Sequence, residues 1–280
     1  PTCEYAVANG HSSWQPNQLL QKMELDLEIL PGYLAHPCDI VLVKEKPGAG
    51  FIHYLQERGF KSPRFVLLRD ALEGTAPLRE SGSLKPWGWS PAAHRLLDSL
   101  KPFCSQEFQN SPVAEWNPSQ RGIYSKKFAL KIHKILRPQL PQEMILPAEK
   151  LPRVCSNRPQ IENLLREWGK LMVKAPWSSS GRGLQPVTKT PVVEKVWDKI
   201  NGIINDQGYV MVEPMLDKVM DVALQFELKS QKVTFLGVSR FLTDKKGQYQ
   251  GNFLRNTKEN IPPEARHIFH LLPDWARNSI

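Results

Sequence analysis

Apolar and polar positions follow two rhythms along this chain. Asp39-Ile40-Val41-Leu42-Val43 and Arg64-Phe65-Val66-Leu67-Leu68 are continuous apolar runs, the pattern of strands buried in parallel sheets. Ala6-Val7-Ala8-Asn9-Gly10-His11 reads as a further short strand entering an Asn-Gly turn. Between these runs the spacing becomes helical, over Leu19 to Leu30 and over Phe51 to Glu57, with Gly59 as a stop. Strands alternating with helices predict a parallel α/β unit over residues 1–110.

Beyond it the pattern changes. Ser90-Pro91 is a cap and first-turn pair for a helix through Leu100, and Tyr124 to Leu136 predicts a second, basic helix. Asn157 caps a helix over Pro159 to Trp168, and Lys170 to Lys174 follows as a strand. Val193, Val196, Trp197, Ile200, Ile203 and Ile204 recur at helical spacing until Gly208. Tyr209 to Val212 is a strand that meets Glu213-Pro214. From Met220 to Leu228 apolar and polar residues alternate, so that Asp221 and Glu227 share one face. Val233 to Leu242 pairs with that strand across a turn at Ser230-Gln231, and Gly247 to Phe253 adds a third. Trp87-Gly88-Trp89 supplies rings that either pack or line a cleft. The fold class expected is α/β and α+β: an N-terminal parallel unit, then lobes with antiparallel sheet over residues 111–280.

Composition narrows the class. The 280 residues are 41% hydrophobic and 23% charged, close to globular averages, and no apolar run approaches the ~20 residues needed to span a bilayer. Cys3, Cys38, Cys104 and Cys155 lie far apart without a CxxC pair, so reduced thiols and a cytoplasmic setting are expected. The net charge of +9 favours anionic partners. Basic residues are spread along the chain with only short pairs such as Lys126-Lys127, which disfavours nucleic acid as the partner. No charged and then apolar leader precedes the first strand; Pro1 is not an initiator methionine, and the chain reads as a fragment.

The candidate chemistry sits at Leu171-Met172-Val173-Lys174-Ala175-Pro176-Trp177-Ser178-Ser179-Ser180-Gly181-Arg182-Gly183. A strand lysine supplies a point charge, and a Ser/Gly loop lets backbone N–H groups approach phosphate oxygens. Nucleotide binding is the reading this supports. A kinase-type Gly loop would precede its lysine strand, GxxxxGK[ST] is absent, and Gly181-Arg182-Gly183 lacks the third glycine of a dinucleotide fingerprint.

The order lysine strand, Ser/Gly loop, helix, strand ending in Glu-Pro and strand starting with an acid resembles the ATP-grasp superfamily. Ala6 to Gly10, Trp87-Gly88-Trp89, Tyr124-Ser125-Lys126-Lys127-Phe128-Ala129 and Lys174 to Gly183 resemble a bacterial branch of it. The resemblance implies a pre-ATP-grasp-like domain before the ATP-grasp lobes. It implies ATP and Mg²⁺ as cofactors, and a ligase that activates a small-molecule or peptide carboxylate as an acyl-phosphate. Carried over residue by residue, it places Lys174 on the α- and β-phosphates and Ser178, Ser179, Ser180, Gly181, Arg182 and Gly183 in the loop over the triphosphate. Glu213, Pro214, Met215 and Leu216 correspond to the hinge beside the adenine, and Asp221 to the acid on the ribose hydroxyls, with Asp217 behind it. Asn9, His11, Arg240 and Asn252 are the candidates for the acceptor pocket.

Each assignment has a plainer rival. Lys174 also reads as a snorkelling strand-end lysine, the loop as a linker, Glu213 as a surface acid, and Asp221 as the partner of a nearby lysine. One departure stands out. Magnesium wants hard oxygen ligands, and no Glu-x-Asn strand motif follows; Asn256, Glu259 and Asn260 lie in a polar stretch. The expectation is therefore a chain incomplete at its C-terminal end, with a non-catalytic nucleotide- or nucleic-acid-binding module as the alternative.

Overall fold

The computed structural model describes residues 3–76, 78, 82–142, 145–178, 181–229, 232–244, 247–254 and 261–278. The chain divides into two compact units, residues 1–124 and 125–280.

The first unit holds α1 (Cys3–Asn9), α2 (Gln18–Leu27), β1 (Ile40–Val43), α3 (Ala49–Glu57), β2 (Arg64–Leu67), α4 (Leu68–Leu72), α5 (Pro91–Leu97), α6 (Gln106–Gln109) and α7 (Gln120–Ile123). β1 and β2 pair in parallel, Ile40 opposite Arg64 and Val43 opposite Leu67, as their apolar runs predict. Ser90 caps α5 by accepting from the Ala93 N–H at 3.1 Å, ahead of Pro91 at the first helical position. Val66, Ala71, Leu97 and Leu100 form the core, with Trp89 packed against it.

One expectation fails here. Ala6 to Asn9 is helix, not strand. Ala6 and Val7 are buried on one face of α1. The Arg121 guanidinium donates to the Val7 carbonyl at 2.9 Å and to the Ala8 carbonyl, satisfying acceptors that a helix end leaves open. A residue 114 positions away thus overrides the local alternation.

The second unit holds α8 (Lys126–Leu136), β3 (Arg153–Cys155), α9 (Arg158–Trp168), β4 (Leu171–Lys174), β5 (Leu184–Val187), α10 (Glu194–Gln207), β6 (Val210–Pro214), β7 (Asp221–Lys229), β8 (Lys232–Thr243), β9 (Tyr249–Asn252) and α11 (Pro263–Asn278). One antiparallel sheet has the order β3-β6-β4-β5 and the other β7-β8-β9. Asn157 caps α9 from its side chain to the Gln160 N–H at 3.1 Å. Val173 and Leu171 of β4 and Val210 and Val212 of β6 are wholly buried, packed with Ile161 and Leu165 of α9 and Trp197 and Ile200 of α10. Each such side chain contributes roughly 1.5–3 kcal/mol by leaving water, so the middle of this sheet is a firm platform.

The alternation of β4 and β6 then sends Met172 and Lys174, and Met211 and Glu213, to the other face. In the second sheet α11 packs on β8, burying Ile261, Phe269 and Ala276. Toward the distal end of the hairpin Phe226 is 38% and Leu228 78% exposed, so the apolar face read from the alternation is covered only near its base. The turn Ser230-Gln231 lies outside the described residues. Parallel pairing in the first unit and antiparallel sheets in the second are the fold class expected.

Candidate functional site

Lys174 closes β4 opposite Met211 of β6, and Glu213 stands two residues further along β6. On one face of an antiparallel pair that diagonal spacing is within reach of long side chains, and the Lys174 ammonium forms an ion pair with Glu213. Both side chains are about three-quarters buried.

A second ammonium joins them. Lys126 is the first residue of α8, after the capping Ser125. Its Nζ donates to the Ala175 carbonyl at 2.9 Å, the Ser178 carbonyl at 2.8 Å and Ser178 Oγ at 2.9 Å. Its backbone N–H donates to the Pro176 carbonyl at 3.0 Å. Burial pushes its pKa down from 10.5 to about 8; the Lys174 charge pushes the same way and Glu213 opposes. Glu213 is thus ion-paired with Lys174 alone among the described residues, while Lys126 is held by the Ala175 and Ser178 oxygens, and like-charge repulsion between the two ammonium groups is left over. An added anion relieves that repulsion, which is the chemistry the cluster is suited to.

The loop from Ser178 to Gly183 is held at its described ends. The Ala175 N–H donates to the Gly183 carbonyl at 2.8 Å. At Gly183 (φ +71°) a Cβ would stand 2.8 Å from Ala175 Cβ, and at Gly181 (φ +75°) it would stand 2.4 Å from the Gly247 carbonyl oxygen. Both glycines are therefore required by backbone conformation and by space together, and the loop rests on the turn between β8 and β9. Arg182 is exposed between them. Ser179 and Ser180 lie outside the described residues.

In the connection after β6, Pro214 is buried while Met215 and Leu216 are 39% and 51% exposed. The Met215 N–H donates to the Lys170 carbonyl at 3.0 Å. Asp221 opens β7, where the Lys218 ammonium donates to Oδ2 at 2.6 Å and Thr243 Oγ1 donates to the same oxygen at 2.8 Å. Arg240 is 4% exposed, its guanidinium 4.4 Å from the centre of the Phe253 ring. Asn252 pairs with Phe241 at the end of β9. Asn9 and His11 lie in the first unit, where Asn9 Oδ1 accepts from the His11 N–H at 3.2 Å.

Lys126 is the residue that motif reading left without a role. A signal was present: two lysines open a helix whose first turn holds no acid, against the helix dipole. Trp89 packs face to face on His94 at 4.3 Å, whereas Trp87 is 59% exposed. Magnesium finds no donor set among the described residues, since no three acids, histidines or cysteines come together there. Asn256, Glu259 and Asn260 lie outside the described residues. Among the described residues no helix is long and apolar enough to cross a membrane.

No family model matches the chain, and no curated protein matches it. It is similar to a solved structure of N5-carboxyaminoimidazole synthetase from Staphylococcus aureus complexed with ADP (11% identity, 84% of this chain, 55% of that chain, TM-score 0.43). It is also similar to the biotin carboxylase domain of 2-oxoglutarate carboxylase from Hydrogenobacter thermophilus (14% identity, 84% and 51% covered, TM-score 0.47). A third is the ATP-grasp ligase PsnB complexed with minimal precursor (13% identity, 76% and 80% covered, TM-score 0.35). The chain spans about half the length of the first two.

Proposed function

We propose that the second unit carries an ATP-grasp-type nucleotide site and that the protein is an ATP-dependent ligase of the carboxylate-amine or carboxylate-thiol type. The observation that carries the reading is two mutually repelling ammonium groups beside the Gly181–Gly183 loop end, Lys174 ion-paired with Glu213 and Lys126 held by the Ala175 and Ser178 oxygens. A triphosphate supplies the missing negative charge. Lys174 and Lys126 hold its oxygens, and the backbone N–H groups between Ser178 and Gly183 close over it. Because the Met215 N–H is already engaged, the Leu216 amide is the group that reads the purine edge, with the Met215 and Leu216 side chains against the ring. Asp221 accepts from the ribose hydroxyls in exchange for its bond from Thr243.

The reaction proposed is attack of a substrate carboxylate oxygen on the terminal phosphorus with loss of ADP. An amine or thiol then displaces phosphate from the acyl carbon. Mg²⁺ belongs to the reading through the superfamily resemblance alone, since the described residues offer it no ligand set.

Calorimetric titration with ATP tests the proposal. Binding should weaken by tenfold or more in Lys174→Ala, since a charge-assisted hydrogen bond contributes about 1.5–3 kcal/mol. Binding to DNA with steep salt dependence and no response to that substitution would refute it.

A further inference from the structure

The segment that leads from β4 into the Ser178–Gly183 loop passes through the peptide group joining Pro176 to Trp177, and that one amide plane is held from both sides. Its carbonyl oxygen accepts from the Lys126 backbone N–H at 3.0 Å. Its N–H donates to Gln207 Oε1 at 3.0 Å. Gln207 is the last residue of α10, and Gly208, left-handed at φ +84°, turns the chain back into β6. The same turn sets Tyr209 edge to face against the Trp177 ring, 5.9 Å between centres. The Lys127 ammonium lies 5.3 Å from the centre of the Tyr209 ring. The start of α8 and the turn after α10 thus close together on Pro176–Trp177.

The neighbouring peptides explain why this clamp matters. The Ala175 and Ser178 carbonyls hold the Lys126 ammonium at 2.9 and 2.8 Å. Pro176 is wholly buried and its ring fixes φ, so the rotation left to the amide plane is about Pro176 ψ and Trp177 φ. The Lys126 N–H restrains one end of that plane, and Gln207 restrains the other. Without an acceptor at position 207 the Trp177 N–H stands unpaired in a partly buried place, a penalty that rotation of the plane relieves. That rotation carries the Ser178 carbonyl, and the loop behind it, off the Lys126 ammonium.

We propose that Gln207 is a positioning residue for the polyphosphate: by accepting from the Trp177 N–H it sets the entrance of the loop and, through the Ser178 carbonyl, the place of the Lys126 ammonium. The inference rests on the nucleotide reading of this site and adds to it a residue that reaches the phosphates only through the loop.

Two variants of the full chain test it. Gln207→Leu removes the acceptor at nearly the same volume, and Gln207→Glu keeps an acceptor at the same reach. By calorimetry ATP should bind about three- to tenfold more weakly in Gln207→Leu and within about twofold of wild type in Gln207→Glu. Adenosine, which lacks the phosphates, should bind all three proteins alike, which also shows that the variants are folded. In the unliganded chain, amide hydrogen exchange at Trp177 should quicken in Gln207→Leu and not in Gln207→Glu, a readout that needs no nucleotide. Unchanged exchange at Trp177 in Gln207→Leu overturns the inference. So does equal weakening of ATP and adenosine, or a failure of Gln207→Glu to restore ATP affinity. ATP binding that responds to Lys174→Ala but not to Gln207→Leu overturns this inference alone, whereas absence of ATP binding by the wild type overturns the nucleotide reading with it.

Discussion

Lys126 makes the nucleotide proposal measurable through protons. With its pKa pushed down to about 8, this side chain is about half protonated at pH 8. A unit negative charge ~4 Å away is worth about 4 kcal/mol at an effective dielectric of 20. Allowing for screening and for the Ala175 and Ser178 oxygens that the ammonium would give up, about a third of that remains, near 1.4 kcal/mol, which raises the pKa by about one. Lys126 then passes from about half to about nine-tenths protonated, and ATP binding at pH 8 should take up about 0.4 proton per site. Calorimetry in two buffers of different ionisation enthalpy reads that number from the slope of observed against buffer enthalpy. Lys126→Arg keeps the positive charge but does not titrate in this range, so it should bind ATP with an uptake lower by about 0.4. Equal slopes in the two proteins, or net proton release attributable to Lys126, would refute the reasoning.

The same group predicts a stability profile. The folded pKa, about 8, lies below the ordinary 10.5, so the unfolded chain binds the extra proton between those values. Stability therefore rises with pH across that window. Below pH 8 both states are protonated and the handicap is complete; above 10.5 it is gone. The full interval corresponds to about 3.4 kcal/mol, and solvent screening at this half-buried site reduces the expected rise to ~1–2 kcal/mol. Denaturant unfolding of the unliganded protein against pH should show this rise in the wild type and lose it in Lys126→Met.

Three further outcomes are expected. Gly181→Ala places a Cβ 2.4 Å from the Gly247 carbonyl in a left-handed conformation, costing about 1–3 kcal/mol locally. ATP affinity should fall several-fold by calorimetry and the melting midpoint should drop by several degrees; unchanged affinity would separate the loop from the site. Ile161→Ala empties a wholly buried position in the main core and should lower unfolding free energy by about 2–5 kcal/mol, measured by urea titration. All four thiols are free. Cys38 is exposed, whereas Cys155 is buried with its pKa pushed up to about 11, so iodoacetamide at pH 8 should label Cys38 first and Cys155 only after denaturation, as peptide mass mapping would show.

The elements legible in the sequence are those whose local signals agree with their burial. Asn157 and Gly169 bracket α9, and Gly208 ends α10 with φ +84°. The alternation from Met220 onward gives β7, and its pairing with β8 and then β9 follows. Three elements were illegible for separate reasons. β3 is three residues long, too short for a period to register. β5 contains Pro186, which reads as a breaker but is tolerated because β5 is the edge of its sheet. α11 runs through Pro273, where the sequence rule would end a helix. At the site, the sequence marked Lys174 and Glu213 separately. It could not show that they are diagonal neighbours, because that depends on the register of β4 against β6.

Lys126 shows why such a residue escapes pattern reading. A cation in the first turn of α8 meets an unfavourable helix dipole of about 0.3–1 kcal/mol. It also meets partial burial and the like charge of Lys174, all of the same sign. Local rules therefore argue against a lysine there, and what offsets them in the unliganded protein comes from elsewhere in the chain: the oxygens of Ala175 and Ser178. Those oxygens belong to the segment that enters the Ser178–Gly183 loop. Under the proposed function Lys126 is thus held by the loop before the nucleotide arrives and by phosphate afterwards, so exchanging those partners ties the loop's position to occupancy. The conflict with local preference is then the price of a charge that is hydrogen-bonded but has no anionic partner of its own until a polyanion enters.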